Sequence, residues 1–279
     1  MPDVMRYGAE RGLSIIPAVE VTTAWNDRRV GLLVYGISPE SDDPDAAPFL
    51  ELMHGVDQEL QEMAASARRA WEREKGPIPF ADELRADRPL WPYHVLMGAI
   101  NAKYVKNLTE AANWVTAAKE RFAVSRPLAD VVALAQAGGA LCVVAHPGRQ
   151  YEGGGLTEEI IDQIRAEIPI DGIEAHYRSY TDAVTEHYRS VADARGLLIG
   201  CGSDSHACTP VDPRAWHAGW CADLLERFGF VVVDPASDSW AVGIDPLAAV
   251  EPPPKEAVET VITVKTFSSG PIGTNTYSG

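Results

Sequence analysis

The stretch "LLIGCGSDSH", residues 197–206, decides how the rest of the sequence is interpreted. Its apolar start, Leu197 to Ile199, is typical of a buried strand, and two glycines follow before Asp204 and His206. Side chains alternate between the two faces of a strand, so residues two apart point the same way. A carboxylate and an imidazole that leave a strand together form either a metal-ligand pair or a proton-transfer pair, and both need partners from elsewhere in the chain.

Helices and strands alternate in the residues that precede this stretch. Helical patterns at 128–137, 157–166 and 182–194 are separated by the strand-like runs "ALCVVAH" and "DGIEAH". Such alternation predicts a parallel sheet or barrel with polar residues at the carboxyl ends of its strands. The residues that fall at such ends are Glu20, His146, Glu174 or His176, and Asp204 with His206.

The first half of the chain departs from this alternation. Residues 3–11 predict a helix, which is followed by a strand ending near Glu20 and a second strand at 28–37. Apolar residues then recur at helical spacing, with further helical stretches at 92–103 and 109–122. We therefore predict three parts: a β/α barrel formed by 1–46 and 128–250, a helical insertion at 47–127 that caps the barrel mouth, and a C-terminal tail at 251–279 that opens with a proline run.

The composition of the 279-residue chain narrows the class of function. A formal net charge of −16 argues against binding of long nucleic acids, which are held by surfaces rich in Lys and Arg. The negative charge is compatible with a small phosphorylated substrate, because bound divalent cations can make the electrostatic potential of a pocket positive. No apolar run approaches the roughly 20 residues of a membrane span, so we expect no membrane association and a cytoplasmic location. The four cysteines have no Cys-x-x-Cys spacing and are interpreted as reduced packing residues.

Each polar residue at a strand end also has an ordinary structural explanation. Asp204 could cap the next helix, and His146 could be satisfied by hydrogen bonds at the end of its strand. Glu20 is harder to explain in this way, because a carboxylate at the end of a buried strand needs a cation or donors to offset its desolvation. Together with His206, these residues favour metal ligation over a purely structural role.

The strand "DGIEAH" repeats the carboxylate-x-imidazole spacing of the opening stretch. We expect Glu174 to support the site by hydrogen bonds. His176 is the alternative metal ligand that this strand offers.

Four segments resemble the PHP (polymerase and histidinol phosphatase) family of phosphoesterases: "IIPAVEVTT", "VVAHPGR", "GIEAHYRSYT" and "GCGSDSH". They occur in the order and spacing of that family, over residues 3 to 210. The branch that the chain resembles acts on nucleoside phosphates and short RNA ends, and it carries a helical insertion before the AHPGR segment. The resemblance implies a distorted seven-stranded (β/α) barrel with up to three divalent metals, Mn, Fe or Zn, at its carboxyl-terminal rim.

The resemblance also implies a role for individual residues. Glu20 would bridge two metals, His146 would bind one of them, and Asp204 and His206 would serve different metals. Two further residues would handle the substrate: His94, in "WPYHVLMGAI", would lie near the phosphate and face the metals, and Arg149 would contact the phosphate.

The chain departs from the family pattern in two places. The family's opening Asp-Leu-His-x-His and later Thr-Asp-His-Asp strands are absent, as if roughly 45 residues of a barrel were missing before Met1. Gly31 also stands where the family has a metal-binding histidine. We therefore expect at most four of the family's metal ligands and fewer than three metals.

Two functions are compatible with these features. The first is a metal-dependent phosphoesterase that hydrolyses a small phosphorylated metabolite such as a nucleotide. The second is a non-catalytic PHP-like relic that binds a ligand or partner through an incomplete metal site. In either case we expect the gap beside the Glu20 strand to be filled by a second copy of the chain, giving a homo-oligomer, or by the strand-like tail.

Overall fold

A computed structural model describes residues 2–120, 122, 124–149, 154–204, 216–232, 240 and 268–269 of the chain. His206 and most of the C-terminal tail lie outside these residues. Within the described ranges, no helix is long and apolar enough to cross a membrane.

The strands of the described residues join into one mixed sheet. They are β1 (Ala18–Trp25), β2 (Arg28–Tyr35), β3 (Arg126–Pro127), β4 (Leu141–Val144), β5 (Gly172–Tyr177), β6 (Leu198–Gly202) and β7 (Ser268–Ser269). The strand order is β3-β1-β2-β4-β5-β6, and β7 also pairs with β1. Strands β4, β5 and β6 run parallel, as the alternation of helices and strands predicts. Strand β2 runs antiparallel to both of its neighbours, β1 and β4.

A two-residue turn explains why β1 and β2 are antiparallel. Asn26 and Asp27 connect Trp25 to Arg28, and both have positive φ angles, 45° and 60°. A turn with two such residues is of type I′, whose twist matches that of two paired antiparallel strands. The parallel arrangement predicted for the second half of the chain therefore does not extend to the first two strands.

Nine α-helices are found in the described residues. They are α1 (Pro2–Ala9), α2 (Ala47–Glu74), α3 (Phe80–Arg85), α4 (Pro92–Asn101), α5 (Leu108–Ala117), α6 (Leu128–Ala137), α7 (Glu158–Glu167), α8 (Asp182–Arg195) and α9 (Ala222–Glu226). A short 3₁₀ helix, Ala218–Cys221, precedes α9. The helices predicted at 128–137, 157–166 and 182–194 are confirmed as α6, α7 and α8.

The two faces of the sheet are covered by different elements, because alternate side chains of each strand enter different cores. Leu32 and Val144 belong to the core that contains residues of α6, α7 and α8. Leu33 and Val143 belong to the opposite core, which contains Leu224 of α9. Strand β4 is buried along its whole length, as expected for a strand covered on both faces.

Helices α2 to α5 fall within the predicted insertion at 47–127 and build a core of their own. The large buried side chains Trp71, Ile78 and Leu96 are completely enclosed there. The ring of Trp71 stacks on that of Trp114, with 3.6 Å between ring centroids. The beginning of α2 belongs elsewhere, since Phe49 packs in the core shared with the sheet.

Candidate active site

The site begins with a contact between Glu20 of β1 and His146, two residues after β4. Glu20 Oε1 and His146 Nε2 lie 3.2 Å apart, and their side chains are only 13% and 2% exposed. The expectation that a strand ends near Glu20 is wrong, because β1 begins at Ala18 and continues to Trp25. The two residues still meet, since the long glutamate side chain reaches along the sheet to the end of β4.

Two opposed effects act on His146. Burial disfavours its charged form, but the hydrogen bond and charge of Glu20 outweigh burial and raise the pKa of His146. The imidazole is therefore held beside a carboxylate in a nearly dry setting, where electrostatic interactions are strong.

Glu174 of β5 lies beneath this pair. Its Oε2 accepts a hydrogen bond of 2.7 Å from the backbone N–H of His146, as expected for a supporting residue. Burial raises the pKa of Glu174 to about 7. A Cβ at Gly202 would overlap Glu174 Oε1, so a side chain at that position would displace the Glu174 carboxylate. This close approach explains the second glycine of "GCGSDSH".

Asp204 follows β6 and is joined to the site by two residues. Its Oδ2 accepts hydrogen bonds from Tyr177 Oη at 2.7 Å and from Arg149 Nη1 at 3.3 Å. Arg149 Nη1 also lies 3.4 Å from Tyr177 Oη. The edge of the Tyr177 ring packs on the His146 ring, with 5.2 Å between centroids. Burial, together with the hydrogen bond to Asp204, raises the pKa of Tyr177, so its hydroxyl keeps its proton and acts as a donor.

The backbone has positive φ angles at two site residues, each of which lies two residues after a strand, β4 or β6. His146 has a φ of 28° and Asp204 a φ of 40°. Positive φ is uncommon for residues other than glycine, and such strain clusters at functional sites, where the surroundings hold it in place. The strain therefore supports a functional role for these residues that is independent of their chemistry.

A bulge in β5 precedes His176 and determines the face of the sheet on which Tyr177 lies. The register with β6 shifts between Glu174 and His176, so the side chains no longer follow strict alternation. Tyr177 joins Glu174 in contacting the site. His176 instead stacks on Trp220, at 4.7 Å between centroids, and its Nε2 lies 2.8 Å from Arg189 Nη1.

His176 is therefore not placed among the site residues, and the interpretation of it as an alternative ligand is wrong for this structure. Tyr177 is the residue that the sequence interpretation missed. A bulge leaves no signal in the pattern of apolar and polar residues, and strict alternation assigns Tyr177 to the wrong face.

Comparisons with known proteins identify a relative by sequence and solved structures that share the fold of this chain. No family model matches the chain. A 3′,5′-nucleoside bisphosphate phosphatase from Chromobacterium violaceum is 26% identical over 204 residues, which are 71% of this chain and 70% of the relative. A protein from Bifidobacterium adolescentis assigned as a metal-dependent phosphoesterase superposes with a TM-score of 0.60 at 20% identity, over 76% of this chain and 75% of that one.

A second solved structure gives the same result. It is an amidohydrolase from Chromobacterium violaceum with bound sulfate and no metal, and it superposes with a TM-score of 0.60 at 24% identity, over 76% of this chain and 75% of that one. The chain shares their fold.

The remaining predicted site residues are His94 and His206. His94 lies in the first turn of α4, where its Nδ1 accepts a hydrogen bond of 3.0 Å from the backbone N–H of Trp91. Burial, and to a lesser extent the charges of Arg88 and Arg85, lower the pKa of His94 to about 4. The structure does not bring it into contact with Glu20 or His146, so its role toward a phosphate stays a prediction. His206 lies outside the described residues.

The side chains present fit a transition metal in kind. Carboxylate oxygens and imidazole nitrogens are ligands that Mn, Fe and Zn accept, and Glu20 and His146 offer one of each, with Asp204 nearby. Among the described residues, no three His, Cys, Asp or Glu side chains come together as a metal-binding group. A complete set needs a further ligand from outside the described ranges, for which His206 is the sequence candidate.

Proposed function

We propose that the protein is a metal-dependent phosphoesterase that hydrolyses a small phosphorylated metabolite, with a nucleotide as the first substrate to test. The observation that carries the proposal is that Glu20 contacts His146 and Arg149 contacts Asp204, with Tyr177 in contact with His146, Arg149 and Asp204. A site of acidic and imidazole ligands beside an arginine suits a phosphate ester held by metal and cation together. The phosphatase relative from Chromobacterium violaceum supports the same reaction.

The residues that would hold divalent metal are Glu20, His146, Asp204 and His206. Mn, Fe or Zn would supply Lewis acidity and a bound water whose pKa is lowered from 15.7 to about 7. We expect fewer than three metals, because Gly31 lies where the resembled family has a histidine ligand. A Cβ at Gly31 would lie 3.0 Å from Glu20 Oε1 and 3.3 Å from His146 Cε1, so a side chain there would enter this site.

Arg149 is the residue that would bind the phosphate. Its side chain is 43% exposed, so a ligand from solution can reach the guanidinium, whose Nη1 contacts Asp204. A guanidinium can donate two parallel hydrogen bonds to phosphate oxygens.

His94 would act from the helical cap. Because its Nδ1 accepts a hydrogen bond and burial keeps the ring neutral, the ring proton is on Nε2. A neutral imidazole in this tautomer can donate to a phosphate or to a leaving oxygen. This role requires that the insertion at 47–127 sits over the site.

The sheet would be part of a distorted (β/α)₇ barrel of the PHP type, with residues 251–279 as a tail. The partner would be a small phosphorylated molecule and not long nucleic acid, in a cytoplasmic and membrane-free setting. The edge of β1 beside Glu20 would be filled either by a second copy or by the tail, whose Ser268–Ser269 pairs with Glu20 and Val21.

Metal content tests the proposal directly. Purified protein, as isolated and after reconstitution with Mn, Fe or Zn, should bind metal in stoichiometric amount and hydrolyse a nucleoside bisphosphate. Asp204→Ala should abolish both, with only a modest loss of thermal stability. Asp193→Ala, at an exposed aspartate of α8, is the matched control and should keep metal and activity. An Asp204→Ala protein that keeps its metal but melts much earlier would show that Asp204 is structural.

The alternative is a non-catalytic relic that binds a ligand or partner through an incomplete site. Two observations favour it: Gly31 in place of a ligand, and the lack of a three-residue metal group among the described residues. Wild-type protein that takes up none of the three metals on reconstitution would establish this alternative.

A further inference from the structure

We propose that Tyr177 is the positioning residue of the site, which holds the carboxylate of Asp204 and the guanidinium of Arg149 in one arrangement. This inference rests on the proposed function and deepens it, because it identifies what couples the metal-binding side of the site to the phosphate-binding side.

Tyr177 contacts three residues of the site: Asp204, Arg149 and His146. Its hydroxyl donates to Asp204 Oδ2 at 2.7 Å and can accept from Arg149 Nη1 at 3.4 Å, while its ring packs on His146. The bond from Arg149 to Asp204 is longer, at 3.3 Å, and involves a side chain that is 43% exposed. An exposed ion pair of this kind fixes geometry poorly by itself. The buried tyrosine, 4% exposed, is the rigid member of the group.

The bulge in β5 shows how the fold delivers Tyr177 to this position. Bulges are over-represented next to active sites, where they re-aim a side chain. Without the register shift between Glu174 and His176, strict alternation would place Tyr177 on the face opposite to Glu174. With it, Glu174 and Tyr177 both serve the site, one through the His146 backbone and the other through Asp204.

The hydroxyl of Tyr177 is expected to affect both metal binding and anion binding, because it bonds to Asp204 and to Arg149. A hydrogen bond to a metal-ligating carboxylate fixes the orientation of that ligand, and loss of such a partner typically weakens metal binding 10- to 100-fold. The same hydroxyl orients Arg149, so removal of the hydroxyl should also weaken the binding of an anion to Arg149. A residue that only filled space would affect neither.

Tyr177→Phe removes the hydroxyl and keeps the ring. We would titrate wild type, Tyr177→Phe and Tyr188→Phe with Mn²⁺ and with inorganic phosphate by calorimetry, and record thermal unfolding of each. Tyr188 is the matched control, because its hydroxyl donates to the backbone carbonyl of Leu156, at 3.0 Å, and to no other described residue. We expect Tyr177→Phe to raise the Kd for Mn²⁺ at least about 10-fold and to weaken phosphate binding, with Tyr188→Phe unchanged in both.

The outcomes separate this inference from the proposed function. If Tyr177→Phe binds both ligands as wild type does, or if Tyr188→Phe is impaired equally, the inference is overturned while the phosphoesterase stands. If wild type binds no Mn²⁺, the proposed function fails. Tyr177 is then judged by phosphate alone: weaker binding in Tyr177→Phe supports its role with Arg149, and unchanged or undetectable phosphate binding overturns it.

Discussion

Gly31 is the residue at which the candidate site could be completed. A Cβ built there lies between 3.0 and 3.3 Å from Glu20 Oε1, Ala145 Cβ and His146 Cε1. These contacts are tight, but two of the three neighbours are side-chain atoms of flexible or rotatable groups. A side chain at this position would therefore enter the space beside Glu20 and His146, and its Cβ alone requires shifts of a few tenths of an ångström.

Gly31→His should add an imidazole beside Glu20 and His146 and so tighten metal binding. An added nitrogen ligand turns a weak set of donors into one closer to the four of a closed site. The expected result is a lower Kd for Zn²⁺ or Mn²⁺ in calorimetry than that of the wild type. Gly31→Ala, the control, introduces the same crowding without a ligand and should not tighten binding. Equal affinity in all three proteins would place position 31 outside the metal site.

Strand β5 holds two buried titratable groups, Glu174 and His176, whose pKa values are shifted in opposite directions. Burial raises the pKa of Glu174 to about 7, whereas burial and the charge of Arg189 lower the pKa of His176 to about 3. His176 is 1% exposed and stacks on Trp220, so the folded protein keeps its ring neutral. In the unfolded chain the same ring would titrate near its ordinary value of about 6.5.

The lowered pKa of His176 predicts a loss of stability in acid. Between pH 6.5 and 3 the unfolded chain binds a proton that the folded protein does not, so the free energy of unfolding falls as the pH falls. At pH 5 this single group should cost about 2 kcal/mol relative to pH 8. The free energy of unfolding of His176→Gln, measured in urea, should therefore change by about 2 kcal/mol less between pH 8 and pH 5 than that of wild type. Glutamine can still accept a hydrogen bond from Arg189, but it does not titrate.

Leu225→Ala is the control for this measurement. Leu225 is equally buried, in the core on the α9 face of the sheet, and has no titratable group. Its loss should lower stability by the same amount at pH 5 and pH 8. A His176→Gln protein with the pH dependence of wild type would mean that His176 is protonated in the fold.

The elements were more predictable from sequence than the site. Apolar periodicity and flanking glycines locate α6, α7, α8 and the strands between them, since each signal is local. Glu20 and His146 were both named because the sequence placed them at strand ends, which holds for His146, just after β4, but not for Glu20, since β1 continues to Trp25. Tyr177 could not be named, because its placement depends on a bulge set by pairing with β6. His94 was named by resemblance alone, and its role toward a phosphate stays a prediction beside the contact that its Nδ1 makes with the Trp91 backbone.

On the scale of the whole molecule, the chain has two principal regions of buried side chains. One lies on both faces of the sheet, and the other lies among α2 to α5. Helix α2 belongs to both, with Phe49 in the first and Trp71 in the second. Regions with separate cores can open independently, as units of different stability.

Leu96→Ala should therefore destabilise the helical insertion selectively. Leu96 is completely buried among α2, α4 and α5, and such a truncation typically costs about 2–5 kcal/mol. Hydrogen exchange should accelerate in α4 and α5 while β4 and β5 keep their protection. Ile173→Ala, at an equally buried residue of β5, is the matched variant and should accelerate exchange in the sheet. Equal acceleration of both regions by Leu96→Ala would show that the chain unfolds as one unit.

The strained backbone at His146 and Asp204 bears on how such a sequence changes over generations. A residue other than glycine with positive φ costs roughly 1–3 kcal/mol, which selection for heat resistance alone would tend to remove. The replacement that relieves this strain best, glycine, discards the imidazole or the carboxylate. At these two positions heat resistance and chemistry compete, so a lineage that keeps both residues is one in which natural selection has acted on the site itself.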